Sequence, residues 1–397
     1  MNESNSESPA AEHVVHEAFG PPLAPSQAGA AIALGVVSLL ISGLLAVMLG
    51  GLAQEHRLSA PGIGLSAMTE ALTMAVTTGL AGAALKPHRL RLIGVLSSAA
   101  LFATNIAVLT AHSDLAVMAV RGLCGVPEGL LLWITIGMIA RTETPDRWAA
   151  VLFTALTATQ LAISAGLTVA VLPRFGADGG FILFAALSLI GAPIAMWLPE
   201  RYPPLPQVAG ETGAPPPRGL IALAGTLLYV SAASAVTIYL APLCLEAGLS
   251  PLIARTAISF SLAAQVLGGL LATAAAGRVK YFVVFVGGVV AYGAVYLVYD
   301  FAAPAWLFIA ATALAGLVAI FINPFLVPMT IEADPSRRAA VQSGAVQLLG
   351  AALGPLLASR VVSQHDARGA LWLGMGLLLS GLAIIAALRF TRRQSLA

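Results

Sequence analysis

What this chain has little of is charge. Only 10% of its 397 residues are Asp, Glu, Lys or Arg, against ~25% in ordinary soluble domains. Twenty basic and eighteen acidic side chains leave a formal charge of +2. Basic residues this sparse and scattered exclude a nucleic-acid surface, and no nucleic-acid partner is expected. Cysteine is almost missing too. Cys124 and Cys244 both fall in apolar runs, which excludes a disulfide framework and suits small buried fillers. No His, Cys and Asp cluster has metal-ligand spacing, so neither a metal nor a cofactor is expected. The acidic N-terminal stretch lacks the basic n-region of a secretory signal, and none is expected.

What is plentiful is apolar sequence. The hydrophobic fraction is 58% and the mean hydropathy +0.90, the composition of a polytopic membrane protein. The apolar runs are far longer than a ~10-residue membrane strand, so the predicted fold class is all-α. Twelve spanning helices are predicted, near 28–52, 62–85, 90–111, 115–140, 148–172, 179–198, 219–243, 252–276, 281–299, 304–329, 338–361 and 367–389. Residues 1–27 carry Glu3, Glu7, Glu12 and Glu17 among Pro and Ser, and are expected to be a disordered tail. Residues 390–397 form a second tail. Residues 199–218 are rich in Pro, Gly and polar side chains and fall after the sixth run. They read as a linker between two six-helix bundles, 28–198 and 219–389.

Orientation follows from the basic residues. With both termini cytoplasmic, the loops on that side hold Lys86, Arg89, Arg91, Arg141, Arg147, Arg201, Arg218, Arg278, Lys280, Arg337 and Arg338. The opposite side keeps Arg57, Arg174, Arg255, Arg360 and Arg368. An internal repeat supports the division. Pro145, Arg147, Ala149, Ala150 and Val151 recur as Pro335, Arg337, Ala339, Ala340 and Val341, at a constant offset of 190.

The most informative stretch is 115–140. It is long enough to cross a bilayer, which takes roughly 20 helical residues, yet it contains Arg121 and Glu128. Seven positions are close to two helical turns, so both side chains share one face. Charges inside a spanning helix face a bundle interior or a watery cavity. Glu70, in the middle of the second run, is the third such charge. Glu128 is the leading candidate to carry a coupled proton. Apolar surroundings favour its protonated form and a nearby guanidinium the ionised one. Arg121 either tunes that proton or grips an anionic solute with its planar fork. The structural alternative is a permanent Arg121–Glu128 pair. Glu70 reads as a second proton site or as part of a gate.

The chain resembles the major facilitator superfamily over essentially its whole length. The resemblance rests on Arg121-Gly-Leu-Cys-Gly125 in the fourth run, followed by Pro127-Glu128-Gly129, and on the basic loop Gly82-Ala-Ala-Leu85-Lys86-Pro-His88-Arg89-Leu-Arg91. It implies two six-helix bundles that expose a central site alternately to the two sides. Lys86 stands where that loop normally has an acid, so its usual charge lock is expected to be absent or altered. Lys86, Arg89 and Arg91 are still expected to act as a gating loop. The fifth run reads Ser164-Ala-Gly166-Leu-Thr168, without the antiporter Gly-Pro pattern. Gly350-Ala-Ala-Leu-Gly354-Pro355 sits in the eleventh run instead. Drug export does not follow from these motifs.

The resemblance also implies a cavity lined by particular helices, and nominates Tyr229, Gln347, Asn323, Gln160 and Gln265 as substrate-binding candidates. Each amide has helix–helix hydrogen bonding as its alternative. Asn323-Pro324 is expected to break or bend the tenth run.

The function expected is secondary active transport of a small organic solute, coupled to protons, with no covalent chemistry. The solute is expected to be amphipathic or weakly acidic, because the second half is mostly apolar with amides and tyrosines. An uncoupled facilitator and a non-transporting receptor are the alternatives. A monomer surrounded by lipid, in the inner (plasma) membrane of a bacterium, is expected. A reporter fused at Gly210 should lie in the cytoplasm and one at Asp114 on the opposite side. Both reporting from one side would overturn the twelve-span reading.

Overall fold

The computed structural model describes residues 23–139, 141–142, 145–203, 215–275, 278–334, 338–363 and 366–394. Residues 1–22 of the expected tail, 204–214 of the linker, 335–337 of the repeat and 395–397 lie outside them. The described residues form an all-α protein. Its helices are α1 (Pro25–Leu39), α2 (Leu45–Gln54), α3 (Ala60–Ala84), α4 (Leu90–Ala107), α5 (Asp114–Ile139), α6 (Pro145–Gly166) and α7 (Leu172–Ala195). After the linker come α8 (Pro217–Thr237), α9 (Leu240–Glu246), α10 (Pro251–Ala275), α11 (Tyr281–Asp300), α12 (Ala305–Ala333), α13 (Arg338–Val361) and α14 (Gly369–Gln394). Nine apolar stretches among the described residues are long enough to cross a membrane. The α3 helix is not one of them, because Ser66, Glu70 and four threonines dilute its hydropathy.

Several expected single helices are interrupted. The first run breaks between Leu39 and Leu45. There the Gln160 amide donates to the carbonyls of Leu39 and Leu40 at 3.0 and 3.1 Å, replacing lost helical partners. Gly43 has no side chain because a Cβ would lie 2.5 Å from the Gln160 Oε1. The seventh run breaks at Ile238 and Tyr239. Pro242 follows four positions after Ile238 and cannot donate to its carbonyl. The tenth run goes the other way: of the expected break or bend at Asn323-Pro324, the break is absent, and α12 is continuous from Ala305 to Ala333. Between α6 and α7 a π-helical turn, Leu167–Val171, leads to Gly176, whose φ of 60° turns the chain back.

Two ends of the molecule are defined by their contacts. On the tail side, the loop before α4 meets the segment after α7: Tyr202 N–H donates to Pro87 at 3.1 Å and Leu90 N–H to Glu200 at 3.2 Å. On the far side, buried Arg57 donates to Asp178 and to the carbonyls of Val108 and Ala111. Exposed Trp306 and Trp372 on the far side and Trp197 on the tail side suit membrane interfaces.

The two most intimate helix pairs are α3 with α5 and α10 with α12. In each a glycine removes the side chain at the crossing. A Cβ on Gly125 would meet the backbone of Glu70 and lie 2.8 Å from Met74 N; one on Gly316 would lie 2.5 Å from the Ser261 carbonyl. A second correspondence lies on the far side. Glu55 accepts from Ala177 N–H at 2.7 Å, and Glu246 from Ala367 N–H at 2.6 Å. Both pairs are separated by nearly the offset of the sequence repeat.

Contacts between the two parts of the chain gather on the far side. Ser164 of α6 meets Ser259 of α10 at 2.7 Å. Gly50 of α2 abuts Ala241 of α9, and Gly64 of α3 abuts Tyr239 and the Pro355 carbonyl. On the tail side of the same helices, Gly79 of α3 and Gly344 of α13 are exposed with open space around them. The described contacts that join the two parts therefore lie on the far side. Gly125→Val and Gly316→Val should each destabilise the protein by about 1–3 kcal/mol through overpacking. Gly376→Val, at an exposed position with no neighbour within 4 Å, should not. Thermal unfolding in detergent, followed by monodispersity, distinguishes the two classes.

Candidate functional site

A polar stripe on α3 brings the charges together. Thr69 and Thr73, one turn apart, and Thr78 further along the helix donate across to α5, to the carbonyls of Met118 (3.1 Å), Gly122 (2.7 Å) and Gly129 (3.1 Å). Glu70 rides on this stripe. Its carboxylate accepts from Arg121 at both oxygens, with Nε–Oε2 at 2.8 Å and Nη2 on Oε1. The other nitrogen of the guanidinium, Nη1, donates to Asn105 Oδ1 of α4 at 3.2 Å and reaches Cys124 Sγ at 3.3 Å. The Phe181 ring of α7 lies 5.7 Å from the guanidinium carbon. Arg121 is completely buried, and Glu70, Glu128 and Asn105 are nearly so.

The Arg121–Glu128 pair of the structural alternative is not formed. Sharing one face of α5 does not make them neighbours, because two turns separate them along the axis by about 10 Å. Glu70 comes between. The Glu128 carboxyl is within hydrogen-bonding reach of Glu70, and its backbone carbonyl accepts from Ser38 of α1 at 2.7 Å. Two ionised acids on one buried guanidinium would leave a net negative charge, costing on the order of several kcal/mol. One proton held between the acids makes the cluster neutral. It also supplies the donor that a carboxyl–carboxyl hydrogen bond needs.

The second helix pair supplies a comparison. Ser261 lies against Gly316 as Glu70 lies against Gly125. Thr312 sits four residues before Gly316, as Arg121 does before Gly125, and Ala319 three after, as Glu128 does. Thr312 bonds only neutral partners: Tyr299 Oη at 3.0 Å and the Phe308 carbonyl at 2.8 Å. The same close crossing is thus built without charge.

The other candidates lie elsewhere. Gln160 holds the break between α1 and α2. Tyr229 packs edge-on to Phe285 and Tyr292, with ring centroids 5.6 and 6.1 Å away, inside an aromatic layer between α8 and α11. Gln265, Asn323 and Gln347 are half-buried in α10, α12 and α13; Gln347 donates to Ser343 at 3.3 Å. None of them joins the charge cluster.

In the basic loop, Arg91 donates to the Leu198 carbonyl at 2.7 Å, while Lys86 and Arg89 are exposed. The loop is fastened by a feature hidden in the linker composition, a strap over Leu198–Pro203. Buried Tyr202 reaches the Ile134 carbonyl of α5 at 3.2 Å, and Arg141 holds the Pro203 carbonyl at 2.6 Å beneath the Tyr202 ring. Burial pushes the Tyr202 phenol up and the Arg141 guanidinium down from their ordinary values. An isolated Tyr directly after a spanning run was the available signal.

The sequence matches the family model described as Major Facilitator Superfamily over residues 31–347. Among solved structures, the chain is similar to a mutant of the nucleoside transporter NupG, with a TM-score of 0.69 and 14% identity, covering 91% of this chain and 99% of that one. It is also similar to a bacterial homolog of the human lysosomal transporter Spinster, inward-facing and unoccupied, with a TM-score of 0.60 and 14% identity, covering 93% and 96%. No curated protein matches the chain.

Breaking the buried pair from one side should cost about 3–5 kcal/mol. Arg121→Leu is therefore expected to lower thermal stability in detergent strongly. Combining it with Glu70→Gln should recover most of the loss, as the uncharged second pair implies. Equal stability of Arg121→Leu and the parent would contradict the burial described.

Proposed function

The chain belongs to the Major Facilitator Superfamily, and from that premise we propose that it is a proton-coupled secondary transporter of a small organic solute. As a member it is a membrane transporter and carries out no covalent chemistry on its cargo. The proposed architecture is twelve crossings in two bundles, 28–198 and 219–389, joined by a cytoplasmic linker. Short α1 and α2 together make the first crossing and α8 with α9 the seventh. With both termini in the cytoplasm of a bacterial cell, and with the described contacts between the two parts on the far side, the state is inward-facing.

The observation that carries the coupling is the uncharged twin of the α3–α5 crossing. If the fold needed a buried Arg and two buried acids there, α10 and α12 would need them as well. They pack as closely with Ser261, Thr312 and Ala319. Intramembrane ionisable groups without a packing role mark ion paths. Glu128 then carries the proton, Glu70 accepts its hydrogen bond, and Arg121 supplies the fixed positive charge. Water reaching the cluster in one state and not the other changes proton affinity, as coupling requires. A second half of amides, tyrosines and apolar residues supports an amphipathic or weakly acidic solute moving through the cleft between the bundles.

Proteoliposomes carrying an internal pH dye identify any weak acid or nucleoside that drives proton movement. For such a solute, Glu128→Gln should abolish uphill accumulation and leave downhill exchange. Accumulation by Glu128→Gln and Glu70→Gln with the parent pH dependence would favour an uncoupled facilitator.

A further inference from the structure

The coupling reading leaves open what decides which acid holds the proton. We propose that Asn105 is a positioning residue that assigns the shared proton to Glu128, an inference that rests on the coupled-transport reading above.

The orientation of the Asn105 amide is fixed by its partners. On one side it faces the Leu101 carbonyl of its own helix at 2.9 Å. A carbonyl only accepts, so Nδ2 faces Leu101 and Oδ1 faces the other way. The Oδ1 atom meets Arg121 Nη1 at 3.2 Å. A guanidinium is planar and its donors are fixed relative to one another. One edge, Nε and Nη2, is occupied by Glu70. The remaining nitrogen is held by Asn105 and Cys124. The plane therefore cannot turn towards Glu128 without losing a partner in a dry site.

Protonation follows from this arrangement. Both Glu70 oxygens accept N–H groups from Arg121, so Glu70 is the carboxylate. Glu128 meets Glu70 and no guanidinium hydrogen bond reaches it, so Glu128 supplies the O–H between them. The charged and titratable groups in the cluster are Glu70 from α3 and Arg121, Cys124 and Glu128 from α5. The neighbouring α4, α7 and α1 contribute Asn105, Phe181 and Ser38, none of which titrates here.

Without the Asn105 oxygen, Nη1 has an unpaired N–H, which is costly when buried. The acceptor left in the cluster is Glu128. A guanidinium bridging both acids stabilises both as carboxylates, and the shared proton leaves. Asn105 keeps the cluster proton-loaded by keeping Arg121 away from Glu128.

Infrared spectroscopy of the full-length protein in liposomes tests this directly. A buried protonated carboxyl has its own C=O stretch, which is followed as pH is raised and requires no knowledge of the solute. The parent should show that band, and Glu128→Gln should remove it. In Asn105→Leu the band should titrate away at a proton concentration about tenfold higher or more, one pH unit being a tenfold change in proton affinity. Asn105→Asp keeps an oxygen facing Arg121 and adds an acid, so neutrality requires a second proton and the band should grow. It serves as the deciding variant if Asn105→Leu fails to fold. Parent-like titration in Asn105→Leu, or an unchanged band in Asn105→Asp, overturns the role of Asn105 and leaves the coupling reading standing. A parent without the band, or a band that survives Glu128→Gln, overturns the shared proton itself.

Discussion

A guanidinium with no access to water dictates much of the first half of this protein. Left alone, Arg121 would be intolerable at that depth, so its neighbours must arrive in register. The α3 threonines fix the sliding position of that helix along α5, and Gly125 fixes the distance. Only then do both Glu70 oxygens fall opposite the guanidinium edge. The hydrogen bonds at Met118, Gly122 and Gly129 align the pair as much as they hold it. A shift of one residue along α3 would turn Glu70 away and strand the charge.

The duplicated crossing separates scaffold from specialisation. Close approach at Gly125 and at Gly316 is common to both parts of the chain, as is the glutamate that caps a later helix on the far side. Those shared features describe what the fold asks for. Arg121, Glu70, Glu128 and Asn105 are what one copy has in addition. Buried charge is a poor source of stability when apolar or neutral packing is available, so its presence in only one copy argues for a task other than holding helices together.

Much of this was legible in the sequence, but not evenly. Membrane spans follow from hydropathy, and three charges in apolar runs identified the cluster's ionisable members before any geometry. The pairing within it was not legible. Helical periodicity places Arg121 and Glu128 on one face, but says nothing about the helix that comes between them. The break between α1 and α2 was hidden because its residues are as apolar as the helix around them, and the amide that stabilises it lies over a hundred residues away. Gln160 was open to two readings, a ligand group or a helix–helix hydrogen bond, and its bonds to Leu39 and Leu40 are of the second kind. Tyr229 read as cavity-facing, whereas the tyrosines of α11 draw it into their own layer. Proline was an unreliable guide: Asn323-Pro324 does not interrupt α12, and Pro242, which does accompany a break, stood out less in the sequence.

The strap over Leu198–Pro203 changes how the connection between the two parts should be understood mechanically. Composition alone makes everything after the sixth apolar run a slack leash. In the folded chain the first six residues are moored to the tail-side loop and to α5 by Tyr202 and Arg141. The described mooring ends at Pro203, and α8 begins at Pro217. An extended chain covers at most ~3.5 Å per residue, so moving the mooring point forward shortens the reach of one half from the other. Any pull on Pro203 is also delivered to a defined place. It arrives at the carbonyl of Ile134, on the same helix that carries Arg121 and Glu128, rather than dissipating in a flexible loop.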